Sequence, residues 1–152
     1  MRILLVDDNP RHRRSGKREL EKLGHDVVAV SDYGEARKLA KKGETFDAAL
    51  LDLLMPAEPT TLGPEGMKHL GREIGVGFPL LLILAHSGVE KIAVATDTNH
   101  HNHPMSAIVD WFGSDRPLTV NGKKVLVMHA PLRHDGTKDW VRVLDLLISE
   151  PG

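Results

Sequence analysis

Acidic residues follow two of the apolar runs in this sequence, at the point where each run ends. Asp7 and Asp8 come directly after residues 3–6, and Asp52 closes residues 46–51. Apolar runs of this length are typical of buried strands in a parallel sheet. If these two strands are neighbours, the three carboxylates meet at one edge of the sheet, where their mutual repulsion requires a cation. Carboxylate oxygens suit a hard divalent ion, Mg²⁺ in particular.

Histidines are concentrated in one segment farther along the chain. The sequence has nine histidines and no cysteine, and residues 97–103 contain Asp97, His100, His101 and His103. Imidazole nitrogens favour Zn²⁺ and other transition metals, so this segment, with His129, is a candidate second metal site. The other interpretation is a polar loop whose histidines are exposed to solvent. The sequence leaves both open.

The composition describes one ordinary globular domain. Of 152 residues, 41% are hydrophobic and 27% charged, and 20 Lys+Arg against 21 Asp+Glu give a net charge of -1. These values exclude a disordered chain and give no electrostatic case for nucleic acid as the main partner. The longest apolar run, residues 78–85, is far short of the roughly 20 residues that span a bilayer. We therefore expect a single cytoplasmic domain over residues 1–152, with no output domain and no membrane contact.

Apolar runs of strand length alternate with segments of helical period along the whole chain. This alternation is typical of a parallel sheet covered by helices on both faces. Asn121-Gly122 is a strong hairpin signal and adds a strand before the fifth one. The predicted strands are residues 3–6, 27–30, 46–51, 91–96 and 124–128, with 118–120 as the hairpin strand. The predicted helices are residues 10–23, 65–73, 79–86, 104–113 and 138–149, with one more that contains Ala36, Leu39 and Ala40 and ends at Gly43. Residues 55–66 are predicted to be a loop.

Residues 80–84 fit a strand by hydrophobicity alone, but other features favour a helix. The segment is almost all leucine and follows Pro79, whereas residues 92–96 carry the β-branched side chains that strands prefer. The two segments are only a few residues apart, and a crossover between adjacent parallel strands needs about a dozen. We therefore expect a buried helix over residues 79–86 and the fourth strand over residues 91–96.

Two segments of the sequence resemble the receiver domain of bacterial response regulators. Residues 1–10 read MRILLVDDNP and residues 48–56 read AALLDLLMP, which supply the paired acids, an acceptor aspartate and the Met-Pro that follows it. The resemblance implies an α/β fold of three layers, flavodoxin-like, around a doubly wound five-stranded parallel sheet of order 2-1-3-4-5. It also implies a domain that accepts a phosphoryl group from a histidine kinase or phosphotransfer protein and signals by protein–protein contact.

The resemblance assigns roles to individual residues. Asp52 matches the phosphoacceptor, Asp8 a direct Mg²⁺ ligand, and Asp7 the acid that holds the metal through water. The Leu54 carbonyl would complete the protein ligands together with Asp52. Thr96, at the end of the predicted fourth strand, matches the residue that switches on phosphorylation. The activity implied is self-phosphorylation at most, rather than turnover of a separate substrate.

The end of the predicted fifth strand departs from the family pattern. The family has a lysine followed by proline there, and this chain reads VMHAP over residues 127–131. We therefore predict that the phosphate-side lysine is missing, with His129 or Ala130 in its place, and that ordinary switching is impaired. Two other functions stay open: a metal-binding protein or metal-dependent enzyme that uses residues 97–103, and a pseudo-receiver that is never phosphorylated and serves as an interaction module.

Overall fold

The computed structural model describes residues 1–58, 64–97, 103–112 and 116–149, which form two sheets and the helices that cover them. The strands are β1 (Arg2–Val6), β2 (Asp26–Val30), β3 (Ala48–Leu51), β4 (Met55–Pro56), β5 (Glu73–Ile74), β6 (Lys91–Thr96), β7 (Leu118–Val120) and β8 (Lys123–His129). The α-helices are α1 (Pro10–Lys22), α2 (Tyr33–Lys41), α3 (Gly77–His86), α4 (Pro104–Ile108) and α5 (Trp140–Ile148), and short 3-10 helices span Pro64–His69 and Val109–Trp111.

The main sheet has the strand order β2-β1-β3-β6-β8-β7. The first five strands are parallel to their neighbours, and β7 pairs with β8 in the antiparallel sense through the predicted hairpin. This arrangement confirms the predicted α/β fold, including its order and its additional hairpin strand. No helix in the described part of the chain is long and apolar enough to cross a membrane.

The continuous apolar runs of the strands arise because both faces of the sheet are buried. On β1, Leu4 and Val6 lie in the core beneath α2 and α3, whereas Ile3 and Leu5 lie in the core on the opposite face. That second core includes Trp140 of α5, and α1 packs beside α5. The polar residues that follow β1, β3 and β6 therefore lie at the carboxyl edge of the sheet, where an open parallel sheet binds its ligands.

Three sequence predictions of helices need correction. Residues 65–73 form no α-helix, because a 3-10 helix ends at His69 and Glu73–Ile74 pairs with Met55–Pro56, which the sequence places in a loop. The helix that starts at Pro104 ends at Ile108 and continues only as a 3-10 turn. The last helix begins at Trp140 rather than at residue 138. By contrast, the structure confirms the buried helix over residues 79–86 and the strand over residues 91–96.

Candidate functional site

Three carboxylates converge at the carboxyl edge of the sheet. Asp7 and Asp8 follow β1, Asp52 follows β3, and the last residues of these paired strands, Val6 and Leu51, are register partners. One carboxylate oxygen from each of the three aspartates lies within 4.8 Å of the others. Asp7 and Asp52 are buried and Asp8 is partly exposed. The strand order thus brings together the acids that the sequence singled out.

A fully buried lysine lies against this acid cluster. The Lys138 ammonium donates to Asp52 Oδ1 at 2.9 Å and to the Ala95 carbonyl at 3.0 Å. It also lies 3.2 Å from Asp7 Oδ2 and 3.9 Å from Asp97 Oδ1. The prediction that the phosphate-side lysine is missing, with His129 or Ala130 in its place, is therefore corrected: a lysine does lie beside Asp52. The lysine comes from the segment before α5 and not from the end of β8.

The segment between β8 and α5 folds back on itself and so returns Lys138 to the edge of the sheet. Leu132 and Lys138 form an antiparallel bridge, and the Arg133 N–H donates to the Thr137 carbonyl at 2.7 Å. Asp139 then caps α5 by accepting from a backbone N–H of its first turn. Because this loop closes on its own backbone, a lysine nine residues beyond His129 reaches the position that the family pattern assigns to the strand end.

Burial and mutual repulsion shift the pKa values of these groups. Burial raises the pKa of Asp52 to about 7 and that of Asp7 to about 6, although Lys138 opposes both shifts. Burial also raises the pKa of Asp8, and the charge of Asp7 adds to that rise. For Lys138, burial disfavours the charged form, but the charges of Asp52 and Asp7 outweigh burial and raise its pKa. The cluster is therefore short of positive charge even with Lys138 in place.

The donor set fits a small divalent cation. Asp7 Oδ2 is buried and accepts no hydrogen bond, since its contact with Lys138 is an ion pair without hydrogen-bond geometry. Three carboxylates with one ammonium leave negative charge that a hard cation neutralises, and Mg²⁺ takes one or two carboxylates with water. Receiver domains hold Mg²⁺ in such an acidic pocket. The Leu54 side chain lies in the core, and the role of its carbonyl stays a prediction.

The described part of the histidine segment is divided between separate contacts. Asp97 accepts from His12 Nε2 at 2.8 Å and so faces the acid cluster. His103 caps α4, because its Nδ1 accepts from the Met105 N–H, while its Nε2 lies 3.0 Å from the Glu73 carbonyl. His100 and His101 lie outside the described residues. Within residues 1–58, 64–97, 103–112 and 116–149, the only group that could hold a metal is the acid cluster, so a transition-metal site is not supported.

Two residues that the sequence placed on the phosphate side differ in their surroundings. Thr96 is buried at the end of β6, and its carbonyl accepts from the Ala130 N–H at 2.8 Å. His129, its register partner on β8, is directed to the surface, where Nε2 lies 2.7 Å from Asp110 Oδ1. The switch role of Thr96 remains a prediction. His129 is engaged elsewhere, and Lys138 is the cation beside Asp52.

Gly77 fixes the start of α3 against the segment that follows Asp52. Its N–H donates to the Leu53 carbonyl at 3.0 Å. A Cβ at this position would lie 2.5 Å from the Asp52 carbonyl oxygen and 2.9 Å from the Leu53 Cα. Both neighbours are backbone atoms that cannot move aside cheaply, so the close approach requires glycine. The packing of α3 thereby supports the backbone that carries Asp52.

The chain is a doubly wound α/β domain with an aspartate cluster and a buried lysine at its carboxyl edge. Comparisons with known proteins identify the class of protein that has this fold and site. The family model described as the response regulator receiver domain matches residues 3–103. A chemotaxis protein CheY homolog of Campylobacter jejuni is 30% identical over 105 residues, which cover 68% of this chain and 78% of the homolog. The chain belongs to the receiver domain family of two-component signalling.

Two further similarities are more limited. The sensor histidine kinase GacS of Pseudomonas protegens is 33% identical over 87 residues, which cover 57% of this chain but only 9% of the kinase. The chain therefore spans a small part of that relative. The BeF3-activated N-terminal receiver domain of Klebsiella pneumoniae RstA superimposes with a TM-score of 0.56 and 18% identity, covering 99% of this chain and 100% of that domain. This last similarity shows the fold.

The raised pKa values predict how stabilisation by Mg²⁺ depends on pH. Asp52 and Asp7 bind protons more tightly in the folded protein than in the unfolded chain, where their pKa is near 3.8. Their contribution to the stability of the metal-free protein is therefore present below about pH 4 and is lost as the pH rises to about 7. Mg²⁺ needs ionised carboxylates, so its binding strengthens over the same range. We expect saturating Mg²⁺ to raise the melting temperature more at pH 8 than at pH 5. Equal increments at the two pH values would contradict this expectation.

Proposed function

We propose that this domain accepts a phosphoryl group on Asp52, with Mg²⁺ held by Asp7, Asp8, Asp52 and the Leu54 carbonyl. The observation that carries the proposal is the position of the Asp52 carboxylate, which belongs to an acid cluster suited to a cation and also accepts from a buried ammonium at 2.9 Å. Structural ion pairs alone do not need three carboxylates around one lysine. The arrangement instead suits a nucleophile whose developing charge is neutralised from two sides.

The chemistry is the transfer of a phosphoryl group between two nucleophiles. An oxygen of the ionised Asp52 carboxylate attacks phosphorus, an O–P bond forms, and the bond from phosphorus to the donor breaks. When the donor is a phosphohistidine, the leaving imidazole takes up a proton. Bound Mg²⁺ would neutralise charge on the transferring phosphoryl oxygens. The Lys138 ammonium would leave its present bond to Asp52 Oδ1 and pair with a phosphoryl oxygen. Thr96, at the end of β6, is the proposed switch residue.

The partners follow from the same site. The phosphoryl donor is proposed to be a histidine kinase or a phosphotransfer protein, and the phosphorylated domain is proposed to signal by contact with a downstream protein. GacS, which contains a region similar to this chain, is by its name a sensor histidine kinase. The domain is proposed to act in the cytoplasm, with residues 1–152 acting as one receiver domain.

The proposal is tested with small phosphodonors. The protein is incubated with acetyl phosphate or phosphoramidate, with and without Mg²⁺, and intact mass is followed by peptide mapping. We expect a mass gain of one phosphoryl group, located at Asp52 and dependent on Mg²⁺, and no gain in Asp52→Asn. The control is Asp145→Asn, which removes an exposed acid on α5 and should leave labelling unchanged. If the wild-type protein takes up no phosphoryl group from either donor, the proposal fails.

A further inference from the structure

His12 connects two groups that surround the acid cluster. Its ring is nine-tenths buried near the start of α1, and both ring nitrogens have partners. Nδ1 accepts from the backbone N–H of Lys138 at 3.1 Å. Nε2 lies 2.8 Å from Asp97 Oδ2. One imidazole therefore joins the segment that carries the ammonium to the acid that follows β6.

The two contacts together fix the tautomer of the ring. A backbone N–H can only donate, so Nδ1 must be the unprotonated nitrogen that accepts from Lys138. The proton of the neutral ring then lies on Nε2 and is donated to the Asp97 carboxylate. The connection is therefore directional, and it needs a ring with an acceptor and a donor at these two separate positions. No other polar side chain reproduces both.

The two contacts of His12 favour Asp52 over Asp97 as the carboxylate that pairs with the Lys138 ammonium. The Lys138 ammonium lies 2.9 Å from Asp52 Oδ1 but 3.9 Å from Asp97 Oδ1. Because His12 binds the other oxygen of Asp97, this competing carboxylate is held at the longer distance. His12 also holds the Lys138 backbone. The loop before Lys138 closes through its own hydrogen bonds, and α1 contacts it next to Lys138 where the Ser15 and Thr137 hydroxyl oxygens lie 3.3 Å apart.

We propose that His12 is a positioning residue for phosphoryl transfer. It orients Lys138 toward the phosphoryl group on Asp52 by binding the Lys138 backbone and by holding Asp97 away from the ammonium. This inference rests on the proposed function, since it assigns the residue that places the phosphate-side cation. His12 is not a catalytic residue, because its contacts are with Lys138 and Asp97 and not with the carboxylates that would hold the metal or the phosphoryl group.

Affinity for Mg²⁺ and affinity for beryllofluoride should respond differently to the loss of His12, whereas a general loss of structure would reduce both. The hydrogen bonds of the His12 ring go to Lys138 and Asp97, and not to the carboxylates of Asp7, Asp8 and Asp52 that would bind Mg²⁺. Loss of His12 should therefore not weaken Mg²⁺ binding, and it strengthens that binding if the ammonium moves away from Asp52. Affinity for beryllofluoride, which imitates the phosphoryl group on the aspartate, depends on the Lys138 ammonium and should depend on His12.

The test compares three substitutions with a matched control. His12→Asn places an amide oxygen near the position of Nδ1 and keeps the bond to Lys138, whereas His12→Gln places an amide nitrogen near Nε2 and keeps only the bond to Asp97. His12→Ala loses both. His134→Gln is the control, since His134 is exposed in the loop that precedes Lys138. Mg²⁺ affinity is measured first, and then beryllofluoride affinity in saturating Mg²⁺, by NMR titration of the folded proteins.

We expect none of the four variants to bind Mg²⁺ more weakly than the wild type. Beryllofluoride affinity should fall about tenfold or more in His12→Ala, the scale of losing a supporting contact around a ligand site. It should recover in part in His12→Asn and in His12→Gln, each of which keeps one of the two bonds, and stay unchanged in the control. Unchanged beryllofluoride affinity in His12→Ala would overturn this inference, as would a parallel loss of both affinities in every His12 variant. Failure of the wild-type protein to bind beryllofluoride would instead overturn the proposed function, and this inference with it.

Discussion

Replacement of Lys138 by methionine is expected to abolish beryllofluoride binding while strengthening the binding of Mg²⁺. Methionine is similar in length but carries no charge, so the phosphoryl group on Asp52 loses its cation. The same change removes the positive charge that competes with the metal for Asp52 and Asp7, at 2.9 and 3.2 Å. Titration with Mg²⁺ alone, followed by beryllofluoride in saturating Mg²⁺, measures the two effects separately. Their opposite signs distinguish loss of the ammonium from loss of the fold.

The same substitution should destabilise the metal-free protein in a pH-dependent way. Breaking a buried ion pair by removing one partner costs about 3–5 kcal/mol. The cost should be greatest at pH 8, where Asp52 and Asp7 are ionised, and smaller at pH 5, where both carboxyls take up protons. The control is Lys123→Met, which breaks a surface pair with Glu90 and should cost at most about 1 kcal/mol. A Lys138→Met protein as stable as the wild type at pH 8 would show that this pair contributes nothing to folding.

Asp8→Asn is expected to weaken Mg²⁺ binding and to stabilise the metal-free protein. Asp8 is the partly exposed member of the cluster, and burial and the charge of Asp7 raise its pKa. An amide removes that repulsion and lowers the pKa of Asp52, so Lys138 pairs with a more fully ionised carboxylate. Mg²⁺ affinity should fall by about tenfold to a hundredfold, since even outer partners of metal ligands are worth this much.

Thermal unfolding tests the second half of that expectation. Relief of repulsion worth about 1 kcal/mol would raise the melting temperature of a chain of this size by about 2–4 °C. The gain should be visible without Mg²⁺ and should disappear or reverse in saturating Mg²⁺. Asp26→Asn is the control, because Asp26 is exposed and forms only a 3.6 Å pair with Arg2. A lower melting temperature for metal-free Asp8→Asn would show that repulsion from Asp8 does not destabilise the cluster.

The acid cluster could be predicted from the sequence because strand ends determine it. Asp7 and Asp8 follow the apolar run of residues 3–6 and Asp52 follows that of residues 48–51, and parallel strands place such residues at one edge whatever the helices do. The helix over residues 79–86 could also be predicted, since chain length forbids a parallel crossover to residues 91–96. Both inferences depend on the geometry of parallel sheets, which fixes the edge where strand ends meet and the minimum length of a crossover.

Lys138 could not be found in this way. Its position depends on a loop that closes through the Leu132 bridge and the cap at Asp139, and neither contact leaves a periodic pattern. His129 was the natural candidate for a cation because the strand ends there, yet its ring faces Asp110 at the surface. The two-residue pairing of β4 with β5 could not be predicted either, because it joins backbone groups that are distant in the sequence and leaves no local pattern.

His12 did leave a signal in the sequence. The buried residues of α1 are His12, Ser15, Gly16 and Leu20, which recur at the spacing of one helix face. Most of them are small or polar, so apolar residues alone mark few inward positions on this helix. A histidine on a helix face that also carries serine and glycine indicates close contact with a neighbouring polar segment. In this domain that segment is the one that carries Lys138.

The strand order leaves the main sheet with two unlike edges. One edge is β7, only three residues long and antiparallel to β8, so a short strand shields part of the seven residues of β8. The opposite edge is β2, five residues long and paired with β1 alone in the described sheet. Short edge strands resist the addition of strands from other molecules. We therefore expect strands from other molecules to add at β2 rather than at β7. A charged or proline substitution in β2 should reduce aggregation by this route.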